Sequence, residues 1–133
     1  MILLDSYGWI EYFGDGPLAG KYAKYVEDVS GENTVIPTIV VYEVYKKIKR
    51  DISEEKALEA YAQLMRAKVI SVDASLALEA ADFSLKLGLS MADGIVYATA
   101  KREGAKLVTS DEHFKGLKDV EFIEEEKRSE QHG

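Results

Sequence analysis

The strongest constraint on the fold is a regular alternation between short apolar runs of strand length and longer segments with helical periodicity. Short runs rich in β-branched residues are typical of buried strands. Five such runs occur, namely ILL at 2–4, TVI at 34–36, KVISV at 68–72, KLV at 106–108 and VEFI at 120–123. Strands separated by helices pair in parallel, with helices on both faces of the sheet. The sequence therefore predicts an α/β fold, a three-layer α/β/α sandwich with a central parallel sheet.

The segments between these runs carry apolar residues at helical spacing. The clearest are 17–29, which begins with a proline suited to a first turn, 53–66, which begins with a capping serine, and 75–87, which precedes a glycine suited to a C-cap. The apolar face of the second helix consists of Ala57, Leu58, Tyr61, Leu64 and Met65. Because no linker interrupts the pattern, we expect one domain over 1–124 and a charged, disordered tail over 125–133.

The composition limits the chemistry that a site can use. The chain of 133 residues has no cysteine, which excludes disulfides and thiolate zinc or redox sites, and His113 and His132 are its two histidines. The net charge of -7 argues against a protein that holds nucleic acid through a broad basic face. The apolar start is interrupted at Asp5, and no stretch resembles a signal peptide or a membrane span, so we expect a cytoplasmic protein with no membrane partner. Carboxylates are the obvious candidates for chemistry.

Two carboxylates directly follow predicted strands. Asp5 follows ILL, and Asp111 follows KLVTS. Ligands of open parallel sheets bind at the carboxyl ends of strands, so both positions suit a functional site. The alternative is helix capping, by Asp5 or Ser6 in the first case and by Ser110 or Asp111 in the second. The sequence leaves both interpretations open.

Two further acids lie on helices that border the predicted core. Glu43 falls beside the apolar arc of its helix, and its alternative role is a solvated ion pair with Lys46 or Lys47. Asp93 is the one charged residue of LSMADGIVYATA, a segment that is apolar almost all round. A buried charge needs a partner, and the local alternative is a capping box with Ser90. Four acids gathered at one sheet edge would offer hard oxygen ligands, which favour Mg²⁺ or Mn²⁺ over zinc.

Four segments, taken in order, resemble the signature segments of PIN-domain ribonucleases, particularly the VapC-type toxins of toxin–antitoxin systems. They are DSYGWIEYF, VVYEVYKKI, LSMADGIVYATA and LVTSDEHF, and the resemblance extends from residue 2 to about residue 123. It implies a catalytic and metal-binding quartet and two supporting hydroxyls. The quartet is Asp5, Glu43, Asp93 and Asp111, and the hydroxyls are those of Ser6 and Thr109. The resemblance also implies a PIN-like nuclease fold, Mg²⁺ or Mn²⁺ as cofactor, an RNA substrate, a homodimer and a small antitoxin partner.

Residues that would contact RNA are less clearly marked. Lys46, Lys47, Lys49 and Arg50 crowd one helix end, where they suit either phosphate binding or the helix dipole and solubility. The aromatic residues Tyr7, Trp9, Tyr12, Tyr42 and Tyr45 suit either base stacking or packing. His113 is expected on the surface of a short helix.

Two other functions compete with a nuclease. One is a catalytically silent PIN-like binding module, against which the presence of all four acids argues. The other is a phosphate-accepting receiver domain, which needs adjacent acids after its first strand and a late lysine. Here Ser6 follows Asp5, and the corresponding late position holds no lysine.

Overall fold

The computed structural model describes residues 1–125, which contain five parallel strands. The strands are β1 (Ile2–Leu4), β2 (Thr34–Pro37), β3 (Lys68–Ile70), β4 (Lys106–Thr109) and β5 (Val120–Phe122). They form one sheet in the order β3-β2-β1-β4-β5, and every neighbouring pair is parallel. The predicted parallel sandwich is confirmed. The predicted tail lies, apart from its first residue, outside the described residues.

Six α-helices flank the sheet within residues 1–125. They are α1 (Ser6–Phe13), α2 (Ala19–Glu27), α3 (Thr38–Asp51), α4 (Glu54–Leu64), α5 (Ala74–Leu87) and α6 (Met91–Glu103), followed by a single 3₁₀ turn at Glu112–Phe114. The predicted caps are present, because the Ser53 hydroxyl accepts from the Lys56 amide and Gly88 ends α5 with a left-handed φ of 72°. None of the described helices is long and apolar enough to cross a membrane.

The strand order fixes where a site can form. From β1 the chain passes to β2 on one side of the sheet and later returns to β4 on the other side. The carboxyl ends of β1 and β4 therefore flank the topological switch point, the place where ligands bind in open parallel sheets. Asp5 follows β1 and Asp111 lies just beyond β4, so the topology brings these two acids to the same edge.

The α6 helix is central, as its apolar sequence predicts. Residues 96–100 are all buried, and α6 packs closely against α5. The close approach depends on Gly94, where an added Cβ would lie 2.8 Å from the Ala80 carbonyl oxygen. This packing holds the first turn of α6, and with it Asp93, against the edge of the sheet.

The predicted apolar face of α4 is only partly buried. Ala57 and Leu64 lie in the core together with Ala60, but Leu58, Tyr61 and Met65 are exposed. The small side chains of Ala57 and Ala60 let α4 pack on α3 along a narrow stripe. Because consecutive residues of a helix point about 100° apart, the residues next to this stripe face solvent. A second difference from the sequence prediction is that α2 begins at Ala19, so Pro17 lies in the turn before the helix and not in its first turn.

Candidate metal centre

Asp5 lies at the carboxyl end of β1 and is almost fully buried, with 3% of its surface exposed. Its side chain makes no capping bond to α1, so the capping alternative is wrong for this side chain. Its Oδ2 instead accepts a hydrogen bond of 2.6 Å from the Thr109 hydroxyl. Its Oδ1 is buried and has no hydrogen-bond partner among residues 1–125. One oxygen of a buried acid is thus left without a donor from the described part of the chain.

Thr109 connects the ends of the two central strands. Its hydroxyl donates to Asp5 and accepts a hydrogen bond of 2.9 Å from the Asp111 amide. Asp111 is also buried, and its Oδ1 accepts from the His113 amide at 2.9 Å. The capping alternative is therefore correct for Asp111, which caps the 3₁₀ turn. The capping bond uses one oxygen of Asp111, and the Asp111 carboxylate stays at the sheet edge near Asp5.

Asp93 occupies the first turn of α6. Its amide donates to the Ser90 hydroxyl at 3.2 Å, so Ser90 caps the helix as the sequence suggests. The Asp93 carboxylate is half-buried, and its Oδ2 lies 3.1 Å from Nδ1 of His113. Capping by Ser90 therefore leaves the carboxylate itself directed to the same place as Asp111.

Glu43 is half-buried on α3, and the nearby Ser6 hydroxyl opposes the rise in its pKa that burial causes. The alternative ion pairs are not formed among the described residues. Lys47 pairs with Asp51 at 2.7 Å, and Lys46 lies over the Tyr42 ring at 5.2 Å. The neighbouring Lys46 still lowers the pKa of Glu43, against the larger effect of burial.

His113 is the residue that sequence reasoning underestimated. Its side chain is 72% exposed, as expected of a surface residue, but its Nδ1 lies 3.1 Å from Asp93 Oδ2 and 3.1 Å from Asp111 Oδ1. Donor atoms of these three residues all lie within 4.8 Å of one another. The available sequence signal was its place two residues after Asp111, inside the turn that Asp111 caps.

Burial and mutual repulsion raise the pKa values of the clustered acids. Burial raises the pKa of Asp5 from its ordinary 3.8 to about 8, the charges of Asp111, Asp93 and Glu43 add to this, and the Thr109 hydrogen bond opposes it. Burial likewise raises the pKa of Asp93 and of Glu43. A divalent cation reverses such penalties because it neutralises the acids locally. The unpartnered Asp5 oxygen and the oxygen-rich donor set both fit a hard ion such as Mg²⁺ or Mn²⁺.

The basic and aromatic candidates are dispersed around this centre. Lys46, Lys47, Lys49 and Arg50 are all exposed on α3, where Lys47 and Arg50 pair with Asp51. Trp9 is excluded from base stacking, because it is fully buried and its indole N–H donates to the Leu4 carbonyl at 2.9 Å. Tyr7 is exposed. Partial burial and, to a lesser extent, the negative charges of the site acids raise its pKa, so Tyr7 lies within electrostatic range of the centre.

The sequence matches the PIN domain family over residues 2–120. A toxin–antitoxin complex from Klebsiella pneumoniae shares the fold with a TM-score of 0.74 and 20% identity, covering 91% of this chain and 96% of that one. The VapC20 toxin of Mycobacterium tuberculosis, described as cleaving the sarcin–ricin loop, aligns with a TM-score of 0.69 and 17% identity over 80% of this chain and 85% of that one. VapBC2 from Rickettsia felis, bound to a promoter DNA fragment, aligns with a TM-score of 0.70 and 18% identity over 92% and 98%. Among curated proteins, none matches the sequence.

Proposed function

Because this chain belongs to the PIN domain family, we propose that it is a metal-dependent ribonuclease that hydrolyses RNA phosphodiesters as the toxin of a toxin–antitoxin pair. The observation that carries the proposal is the buried Asp5 carboxylate, whose Oδ1 has no partner among residues 1–125 and whose charge is opposed by three further acids. Burying an uncompensated carboxylate is costly, and a bound divalent cation removes that cost. The receiver alternative is set aside by the family match over residues 2–120.

Asp5, Asp93 and Asp111 would hold the ion, directly or through water. Mg²⁺ or Mn²⁺, when bound, supplies positive charge beside the scissile phosphate and lowers the pKa of the attacking water. Thr109 supports this arrangement, because its donation to Asp5 Oδ2 orients the carboxylate and leaves Oδ1 available. Removal of such an outer hydrogen bond typically costs about 10–100-fold in metal affinity.

Glu43 would orient the attacking water and accept its proton. Burial raises the pKa of Glu43, which makes it a better base near neutral pH, and the nearby Ser6 hydroxyl partly opposes that rise. The water oxygen forms a bond to phosphorus, the bond from phosphorus to O3′ breaks, and the departing oxygen takes a proton from solvent. The products are a 5′-phosphate and a 3′-hydroxyl, and the ribose 2′-hydroxyl takes no part.

RNA would be held locally rather than by a broad basic face, as the net charge of -7 requires. The tentative phosphate contacts are Lys46, Lys47 and Arg50, which are exposed on the helix that carries Glu43. Tyr7, exposed beside the acids, is suited to stack on a base. These contacts would orient the strand across the centre.

A small antitoxin and a second copy of the chain are the proposed protein partners. Two of the similar structures are described as toxin–antitoxin assemblies, one of them bound to promoter DNA. The exposed Leu58 and Tyr61 on α4, with Met65 at its C-cap, are consistent with a protein interface, because clustered exposed apolar residues mark interaction sites. The antitoxin's C-terminal segment would lie across the acidic centre and offer a cation or a bulky side chain. Co-purification with the product of the adjacent reading frame tests this.

The decisive experiment is incubation of the purified protein with mixed RNA and Mg²⁺, Mn²⁺ or chelator, followed by analysis of the product ends. Cleavage should need metal and leave 5′-phosphates. Asp93→Asn should abolish it, whereas Asp82→Asn, the same change at an exposed acid on α5, should not. Equal cleavage by both variants contradicts the site assignment. A protein that binds metal and RNA but never cleaves would be the silent module.

A further inference from the structure

The strongest feature not used by this mechanism is the imidazole of His113, which faces two of the four acids. We infer that His113 supplies a nitrogen ligand to the metal centre and thereby makes the centre prefer Mn²⁺ to Mg²⁺. The inference rests on the proposed metal-dependent function and adds to it the identity of the preferred ion.

The distances around His113 match those between neighbouring ligands of one ion. Its Nδ1 lies 3.1 Å from an oxygen of Asp93 and 3.1 Å from an oxygen of Asp111. Adjacent donor atoms of an octahedral ion with bonds of about 2.1 Å stand about 3 Å apart. The nitrogen of His113 therefore lies at this spacing from an oxygen of each acid, and the donor atoms of the three residues all lie within 4.8 Å of one another. The buried, unpartnered Asp5 Oδ1 independently indicates that a cation belongs at this edge.

The backbone holds the imidazole at the centre even though the ring is exposed. The His113 amide donates to Asp111 Oδ1 at 2.9 Å, which fixes the 3₁₀ turn against the acid. The next residue, Phe114, is fully buried and stacks on Tyr97 with ring centroids 6.4 Å apart. His113 is thus held on one side by the bond of its amide to Asp111 and on the other by the buried ring of Phe114. Its position is preorganised, as expected of a ligand.

Ligand chemistry determines which ion benefits from this placement. Mg²⁺ is a hard cation that takes oxygen ligands and keeps several waters. Imidazole is a better ligand for transition ions, and the centre offers carboxylates, which suit Mn²⁺ as well. One nitrogen among oxygens therefore strengthens Mn²⁺ binding and contributes little to Mg²⁺ binding. Ligation by Nδ1 of a neutral imidazole also requires that the ring proton be on Nε2.

The competing interpretation is that His113 only hydrogen-bonds the two carboxylates and never contacts the ion. In that case its removal changes the binding of both ions alike. The two interpretations are separated by metal binding measured without RNA, so the result does not depend on cleavage.

The test uses the full chain, with titration calorimetry for MnCl₂ and MgCl₂ and pulsed electron paramagnetic resonance of the Mn²⁺-loaded protein. We expect a ¹⁴N coupling in the parent that His113→Ala abolishes. Mn²⁺ affinity should fall by at least about tenfold, since the loss of even an outer partner of a metal ligand typically costs about 10–100-fold, and Mg²⁺ affinity should fall by much less. His113→Asn, which keeps an oxygen near the Nδ1 position, should also lose the coupling while binding Mg²⁺ like the parent. His132→Ala, the matched change at the other histidine, should retain both properties.

The inference is overturned if the parent shows no ¹⁴N coupling or if His113→Ala leaves the Mn²⁺ to Mg²⁺ affinity ratio unchanged. Failure of the proposed function is recognised differently, as absence of RNA cleavage by a parent that binds metal normally. Thermal melting of each variant in chelator verifies that it is folded.

Discussion

Replacing Asp5 by asparagine should stabilise the metal-free protein while removing its response to metal. Between about pH 4 and pH 8 the folded protein keeps the Asp5 proton, because burial raises the pKa of Asp5 to about 8, and the unfolded chain releases it. The folded state then binds more protons than the unfolded state, so the free energy of unfolding falls as pH rises. Asparagine is neutral at every pH and escapes this loss.

The magnitude follows from the rise in pKa. A shift from 3.8 to about 8 penalises the folded parent by about 5 kcal/mol at pH 8 and by about 2 kcal/mol at pH 5. The asparagine oxygen can still accept from Thr109, but its NH₂ group replaces the unpartnered oxygen and costs about 1–3 kcal/mol if it finds no acceptor. That cost does not depend on pH. The net gain at pH 8 is about 3 kcal/mol, or about 10 °C in Tm for a domain of this size.

The assay is thermal melting of the parent, Asp5→Asn and the control Asp82→Asn in chelator at pH 5 and pH 8, and again in saturating Mn²⁺ at pH 8. Asp5→Asn should melt well above the parent at pH 8 and near it at pH 5. At about a hundredfold excess over Kd, Mn²⁺ should stabilise the parent and the control by about 2.7 kcal/mol. It should stabilise Asp5→Asn much less. The reasoning is refuted if Asp5→Asn melts below the parent at pH 8, or if their difference in Tm is the same at both pH values.

Three further substitutions test other parts of the structure. Thr109→Val removes the hydroxyl that lowers the pKa of Asp5 and should weaken Mn²⁺ binding by about 10–100-fold in calorimetry; unchanged affinity would contradict the orienting role. Gly94→Ala places a Cβ 2.8 Å from the Ala80 carbonyl oxygen and should destabilise the fold by about 1–3 kcal/mol in urea unfolding, and an unaltered midpoint would show that α6 shifts freely. Tyr7→Ala should raise KM for RNA several-fold with Mn²⁺ affinity intact, and parent-like KM would exclude stacking.

The fold was predictable because its signals are local and repeated. Each strand contains at least one β-branched residue within a short run, and the serine and glycine caps at Ser53, Gly88 and Ser90 mark helix ends in the sequence. The exposed side of α4 was not predictable, because periodicity identifies apolar residues but not the width of the stripe that a neighbouring helix covers. There Ala57 is buried while Leu58, the next residue, is exposed.

The proximity of the acids could be anticipated from the sequence, but the place of His113 beside them and the geometry of the candidate site could not. Asp5 and Asp111 follow strands, and parallel pairing brings such ends together. The choice between capping and ligation, however, depends on tertiary contacts. For Asp5 the partner is Thr109, more than a hundred residues away along the chain, and for His113 it is Asp93. No local sequence pattern indicates which hydroxyl or imidazole from another part of the chain will lie beside a given acid.

The strand order has a consequence for the synthesis of this protein. β1, the first strand along the chain, lies at the middle of the sheet, and one of its two neighbours is β4, the fourth strand along the chain. Until residues 106–111 have left the ribosome, Asp5 has neither Thr109 to orient it nor Asp111 beside it. Pairings so distant along the chain also form slowly. The residues around Asp5 in the candidate metal centre therefore come together only after β4 has emerged from the ribosome.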